Sequence, residues 1–146
     1  MTIVRNETTE RRTYLYRLLA LLTLICSFIL LSLPGSWIEF FQTWIHQWWP
    51  WPSSGLASSD FPLDKLVHAT LFALCAALVV RGWTTLRQRW WLVCGLLFLY
   101  GALTELIQRF VPGRSSTLAD LLADGIGVGI GVGFALMYLR KRPSVE

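Results

Sequence analysis

Asp64 and His68, Glu105 and Gln108, and Asp120 and Asp124 form three pairs of polar residues, each near one end of an otherwise apolar segment. Members of a pair stand three or four positions apart, which stacks them on one face of a helix. Together they supply carboxylates, an imidazole and an amide, groups that move protons or hold cations in place. Lys65, Arg109 and Arg114 lie beside them. Arg in particular binds phosphate or carboxylate through two parallel hydrogen bonds. Two chemistries follow: recognition of an anionic group by Lys65 and Arg114, or acid–base catalysis by His68 with a carboxylate to orient it.

The elements that must carry these groups are set by the rest of the chain. Of 146 residues, 54% are hydrophobic and only 15% charged, and the mean hydropathy is +0.50. Such a balance lies outside that of soluble domains and marks an all-α membrane protein with four transmembrane helices, a single membrane domain over residues 1–146. The spans read as residues 14–33, 66–80, 90–108 and 118–139. The second, only 15 residues long, needs Lys65 and Arg81 to snorkel, or the bilayer to thin, if it is to cross.

Basic residues collect on the cytoplasmic side of such proteins. Arg5, Arg11 and Arg12 precede the first span and Arg17 lies at its start, Arg81, Arg87 and Arg89 separate the second and third, and Arg140, Lys141 and Arg142 follow the fourth. Ten of the thirteen cations therefore lie on one side, which puts both termini in the cytoplasm and all three polar pairs at the outer surface. Topology thus accounts for the net charge of +4 and the pI near 9.3, and no nucleic-acid partner is implied. The first apolar run is too long for a signal-peptide core, and Leu33-Pro34-Gly35-Ser36 makes a poor cleavage site. Cys26, Cys75 and Cys94 all fall within spans and read as packing thiols.

Between the first two spans, residues 37–49 place Trp37, Phe40, Phe41, Trp44 and Trp48 on one helical face and Glu39, Gln42, Thr43 and His46 on the other. This is an amphipathic, Trp-rich helix suited to the membrane interface, and the Pro- and Ser-rich stretch 51–62 after it is loop. Trp83, Trp90 and Trp91 mark the opposite interface.

Ordinary structural roles absorb part of the polar set. Asp64 can cap the second span, and Thr117 with Asp120 has the spacing of a capping box. Capping does not reach Asp124, one turn deeper. An ionised Glu105 inside a span must face the bundle interior, with Arg109, Arg114 or Lys65 as candidate partners. Gly125, Gly129 and Gly133 form one small-residue stripe, and Gly127 and Gly131 a second. Both suit close helix packing within the chain, with homo-oligomer assembly through this helix as the alternative. A nucleotide-binding glycine loop is excluded, because no strand precedes the run and it lies within a span.

The ordered set Asp64-Lys65-x-x-His68, Glu105-x-x-Gln108, Pro112-Gly113-Arg114, Asp120 and a glycine-rich helix resembles the VanZ-like family of small integral membrane proteins. The resemblance runs from Asp64 to about Gly131. The family pattern usually carries Asn where this chain has Asp124, so that carboxylate is a departure from it. The resemblance implies residence in the bacterial inner membrane. It also implies an association with glycopeptide-antibiotic resistance, chiefly to teicoplanin, in the founding member, in a family with no settled biochemical activity.

The expectation is therefore an outward-facing polar pocket built from Asp64, Lys65, His68, Glu105, Gln108, Arg114, Asp120 and Asp124. Its ligand would be an anionic lipid headgroup, a lipid-linked cell-envelope precursor or a glycopeptide-type antibiotic. The alternative is a lipid-directed enzyme with His68 as acid or base and Glu105 beside it. No cofactor is expected; a metal held by His68 with Glu105, Asp120 or Asp124 is conceivable, but one His and no Cys at the outer end weigh against zinc. Transport is the weakest reading, because the inner halves of the last three spans lack polar residues.

Overall fold

The computed structural model describes residues 2–48, 63–114 and 116–141. Six helices are present among them: α1 (Thr2–Ser32), α2 (Gly35–Trp48), α3 (Leu63–Gly82), α4 (Thr84–Gln88), α5 (Trp90–Gln108) and α6 (Leu118–Arg140). Four of these, α1, α3, α5 and α6, are long and apolar enough to cross a membrane. The predicted loop 51–62 lies outside the described residues, as do Trp49, Ser115 and Arg142.

Two helices run well beyond the ranges read from sequence, while α2 starts two residues earlier and α6 ends one residue later. α1 begins at Thr2, not residue 14, because Glu10, Arg11 and Arg12 favour helix and adding residues to an existing helix costs little. Its membrane-compatible part is Glu10–Ser32. α3 covers 20 residues where 15 were expected. At 1.5 Å per residue it is about 30 Å long, which removes the need for a thinned bilayer. Asp64 is accordingly not the cap of α3, since it lies inside the first turn, where its charge still favours the helix dipole. The five-residue α4 between two spans was not anticipated.

Successive spans alternate in direction, since Arg17 meets Gly82 where Ser27 meets Cys75, and Leu24 meets Tyr100 where Leu31 meets Gln108, and the most extensive interface is α3 against α6. Of the two glycine stripes, one makes that contact. A Cβ at Gly127 would collide with the Ala69 carbonyl, and one at Gly131 with the Ala73 carbonyl. By contrast, nothing lies within 4 Å of a Cβ at Gly129 or Gly133. Around this seam the core is apolar, with Phe72, Cys75, Ala76, Val128, Val132 and Ala135 buried. A smaller polar tie joins α1 to α5, where the Tyr100 hydroxyl donates to the Leu24 carbonyl at 2.8 Å and meets Ser27 Oγ at 2.9 Å. The outer faces carry Leu22, Leu99, Ile126, Ile130 and Phe134 exposed. So much exposed apolar surface suits contact with lipid.

The basic end is knitted by Arg and aromatic rings. Arg17 Nε donates to the Gly82 carbonyl at 2.9 Å, close to where a Cβ on Gly82 would press against Arg17. Arg81 donates to the Tyr16 hydroxyl at 2.8 Å and lies between the Tyr16 and Tyr138 rings, 4.6 and 4.5 Å from their centroids. At the opposite end, the Gly35 N–H donates to the Pro112 carbonyl at 3.1 Å and pins the start of α2 beside the loop that precedes α6. From there α2 presents Trp37, Phe40, Trp44 and Trp48 as an exposed row.

Candidate functional site

The loop from α5 to α6 shapes the end opposite the basic residues. Val111 to Arg114 is a β-turn closed by the Arg114 N–H on the Val111 carbonyl at 3.2 Å, with Pro112 second and Gly113 third at φ +73°. Only glycine adopts that third-position conformation freely, so the Pro-Gly pair dictates the turn. Thr117 then caps α6: its hydroxyl accepts from the Asp120 N–H at 3.2 Å and donates to Asp120 Oδ2 at 2.5 Å. This bears out the capping geometry read from the Thr117–Asp120 spacing.

With α6 so anchored, its second turn delivers Asp124 into the bundle opposite His68 on α3. His68 Nδ1 lies 2.9 Å from Asp124 Oδ1 and 3.7 Å from Glu105 Oε1 on α5. The three are nearly sealed, at 1% exposure for His68, 5% for Glu105 and 0% for Asp124. Protonated at Nδ1, His68 donates to Asp124, which fixes the ring plane. His68 Nε2, both Glu105 oxygens and Asp124 Oδ2 have no hydrogen-bond partner. Gly101, one turn before Glu105, makes the approach possible, because a Cβ there would stand 2.9 Å from Asp124 Oδ2.

The remaining candidates take other places. Lys65 Nζ pairs with Asp120 Oδ1 at 3.3 Å, beside the buried triad. Glu105 therefore faces His68, and among the described residues no Lys or Arg comes within 4.0 Å of it. Gln108 is buried but turned to α1, where Nε2 donates to the Leu31 carbonyl at 3.0 Å and satisfies one of that helix's terminal acceptors. Asp64 is exposed, outside the buried group. Arg114 is half-buried on the turn, and its Nε is sealed without a hydrogen-bond partner.

Between α5 and α6 a cleft of about 270 Å³ opens. Glu105 is part of its lining, Arg109, Ser116 and Thr117 are its polar wall, and Leu106 and Leu121 its apolar one. Arg109 entered the sequence reading only as a candidate ion-pair partner, and Gly101, Thr104 and Ser27 did not enter it as polar-site residues. For Thr104, which is buried and donates to the Gly101 carbonyl at 2.8 Å, the available signal was its position next to Glu105.

A family model described as VanZ/LLP1 matches residues 8–139. The match takes in α2 and most of α1, beyond the stretch from Asp64 that carried the sequence resemblance. No curated protein and no solved structure gives a significant match.

Proposed function

The chain belongs to the VanZ/LLP1 family and is an integral membrane protein, and on that premise we propose that the α5–α6 cleft receives the anionic headgroup of a membrane lipid or lipid-linked envelope precursor. The observation that carries this reading is the pairing within one cleft of an exposed cation, Arg109, two hydroxyl residues, Ser116 and Thr117, and apolar walls from Leu106 and Leu121. Arg109 offers a guanidinium to a phosphate, the hydroxyls supply further donors, and the leucines accept the start of an acyl or prenyl chain. Arg114, on the adjoining turn, adds positive potential. A role in envelope homeostasis or glycopeptide resistance at the bacterial inner membrane would follow if the ligand were an envelope precursor.

Native mass spectrometry of the detergent-extracted full chain with phosphatidylglycerol and phosphatidylcholine tests this. The wild type should retain phosphatidylglycerol in preference, and Arg109→Ala should weaken that retention about tenfold, the loss of one charge-assisted hydrogen bond. Equal retention of the two lipids, or an unchanged preference in the variant, refutes the reading.

A second reading, catalysis on such a lipid, draws on the 2.9 Å contact that orients His68 through Asp124. It requires the retained lipid to change mass on incubation, and a lipid recovered intact removes it.

A further inference from the structure

The geometry points to a divalent metal site formed by His68, Glu105 and Asp124, taking a first-row ion of the zinc or manganese kind. The sequence argued against a metal because it offered one His and no Cys at this end. Folding changes the count by bringing one oxygen from each of two carboxylates to the imidazole, with all three donor atoms within 4.8 Å of one another.

Three observations support the assignment independently of the cleft reading. The first is spacing. Two ligands bonded at about 2.1 Å to one ion stand about 3.0 Å apart at a right angle and about 3.4 Å apart at the tetrahedral angle. The separations from His68 Nδ1, 2.9 Å to Asp124 and 3.7 Å to Glu105, bracket those values, and the ion would replace the Nδ1 proton that otherwise bridges to Asp124. The second is charge. Two carboxylates lie almost sealed, no Lys or Arg among the described residues is within 4.0 Å of either, and Lys65 is committed to Asp120. The His68 imidazole is the one titratable partner beside them and, protonated, cancels a single charge, whereas a divalent cation cancels both. The third is unused donor capacity. Glu105, 5% exposed, has no well-formed hydrogen bond on either oxygen, although the Ser116 hydroxyl lies near, and Asp124 Oδ2 has no hydrogen-bond partner.

The donor set selects the ion. One imidazole nitrogen with two carboxylates suits zinc or manganese; the absence of sulfur donors from the set disfavours Cu(I), and three donors fall short of the six to eight oxygens calcium takes. Three protein ligands leave at least one position open, as in sites that bind water or substrate. Glu105 also lines the cleft, which gives the ion a way in.

The test uses the full chain in detergent, stripped with chelator, loaded with Zn²⁺ or Mn²⁺ alone, desalted and measured by plasma mass spectrometry. We expect about one ion per chain in the wild type and in Arg109→Ala, and at least a tenfold lower content in His68→Ala and Glu105→Gln. Uptake no greater than a detergent blank, or full uptake by His68→Ala, overturns the site. Should the variants fail to fold, pulsed electron paramagnetic resonance of Mn²⁺ bound to wild type carries the test. Nitrogen modulation from a coordinated imidazole that persists in His46→Ala supports it, and its absence overturns it. Because Arg109→Ala should lose lipid and keep metal, failure of the headgroup reading and failure of the metal site give different results.

Discussion

Replacing Gly127 or Gly131 by Ala should loosen the molecule, whereas the same change at Gly129 or Gly133 should not. Added Cβ atoms at the first two positions would meet the carbonyls of Ala69 and Ala73, which are backbone atoms of a packed helix and have no rotamer to escape into. α3 and α6 must therefore move apart, and overpacking of this kind costs about 1–3 kcal/mol. Clashes this close with backbone atoms belong in the upper half of that range, and better helix propensity returns up to about 1 kcal/mol, leaving a net loss of about 1–2 kcal/mol for one substitution. The double variant should lose less than twice that, because one parting of the helices relieves both clashes. At Gly129 and Gly133 the space is open within 4 Å, and only the propensity gain remains. With about 3 °C per kcal/mol for a chain of this size, Gly127→Ala should lower Tm by about 3–6 °C and Gly129→Ala leave it level or slightly raised. Thermal unfolding of the detergent-extracted chain, followed by circular dichroism, measures both. If the two stripes respond alike, or if Gly129 is the sensitive one, the α3–α6 seam does not run where the structure places it.

Gln108→Leu should cost about 1–3 kcal/mol, because it leaves the buried Leu31 carbonyl without its 3.0 Å donor at the end of α1; an unchanged Tm would show that water or another group takes over that acceptor. Thr117→Ala should cost about 1 kcal/mol through loss of the cap and should speed amide hydrogen exchange in the first turn of α6, starting with Asp120; equal exchange in variant and wild type would remove the capping role.

Hydropathy made the four long helices legible, because length and apolarity alone decide which segments can cross a bilayer. Their ends were less so. α3 extends to Leu63 and Gly82 because residues flanking an apolar run continue the helix at little cost, and hydropathy does not register them. Of the polar residues that spacing drew together, His68, Glu105 and Asp124 lie buried side by side, and Thr117 caps α6 through Asp120. Which residue meets which was not legible. Glu105 had three candidate cations along the chain, yet it faces His68 while Lys65 goes to Asp120, a result of how helices rotate about their axes on packing. Nor could a period of four choose between the two glycine stripes. The choice depends on which face of α6 meets α3, and the Ala69 and Ala73 carbonyls reveal it only in the folded chain.

Glu105 is the only described residue shared by the cleft and the triad, and its charge governs how the two proposals bear on each other. An ionised Glu105 with no cation would repel a phosphate in the cleft and so weaken, without abolishing, what Arg109 and the two hydroxyls contribute. A divalent ion on His68, Glu105 and Asp124 neutralises both carboxylates and presents an open coordination position, so the same wall of the cleft then attracts an anion. Metal and headgroup would then strengthen each other by the same factor, as linkage requires. An anion held equally well with and without metal would break that linkage, separate the cleft from the triad, and leave Arg109 and its neighbouring hydroxyls as the whole source of headgroup affinity.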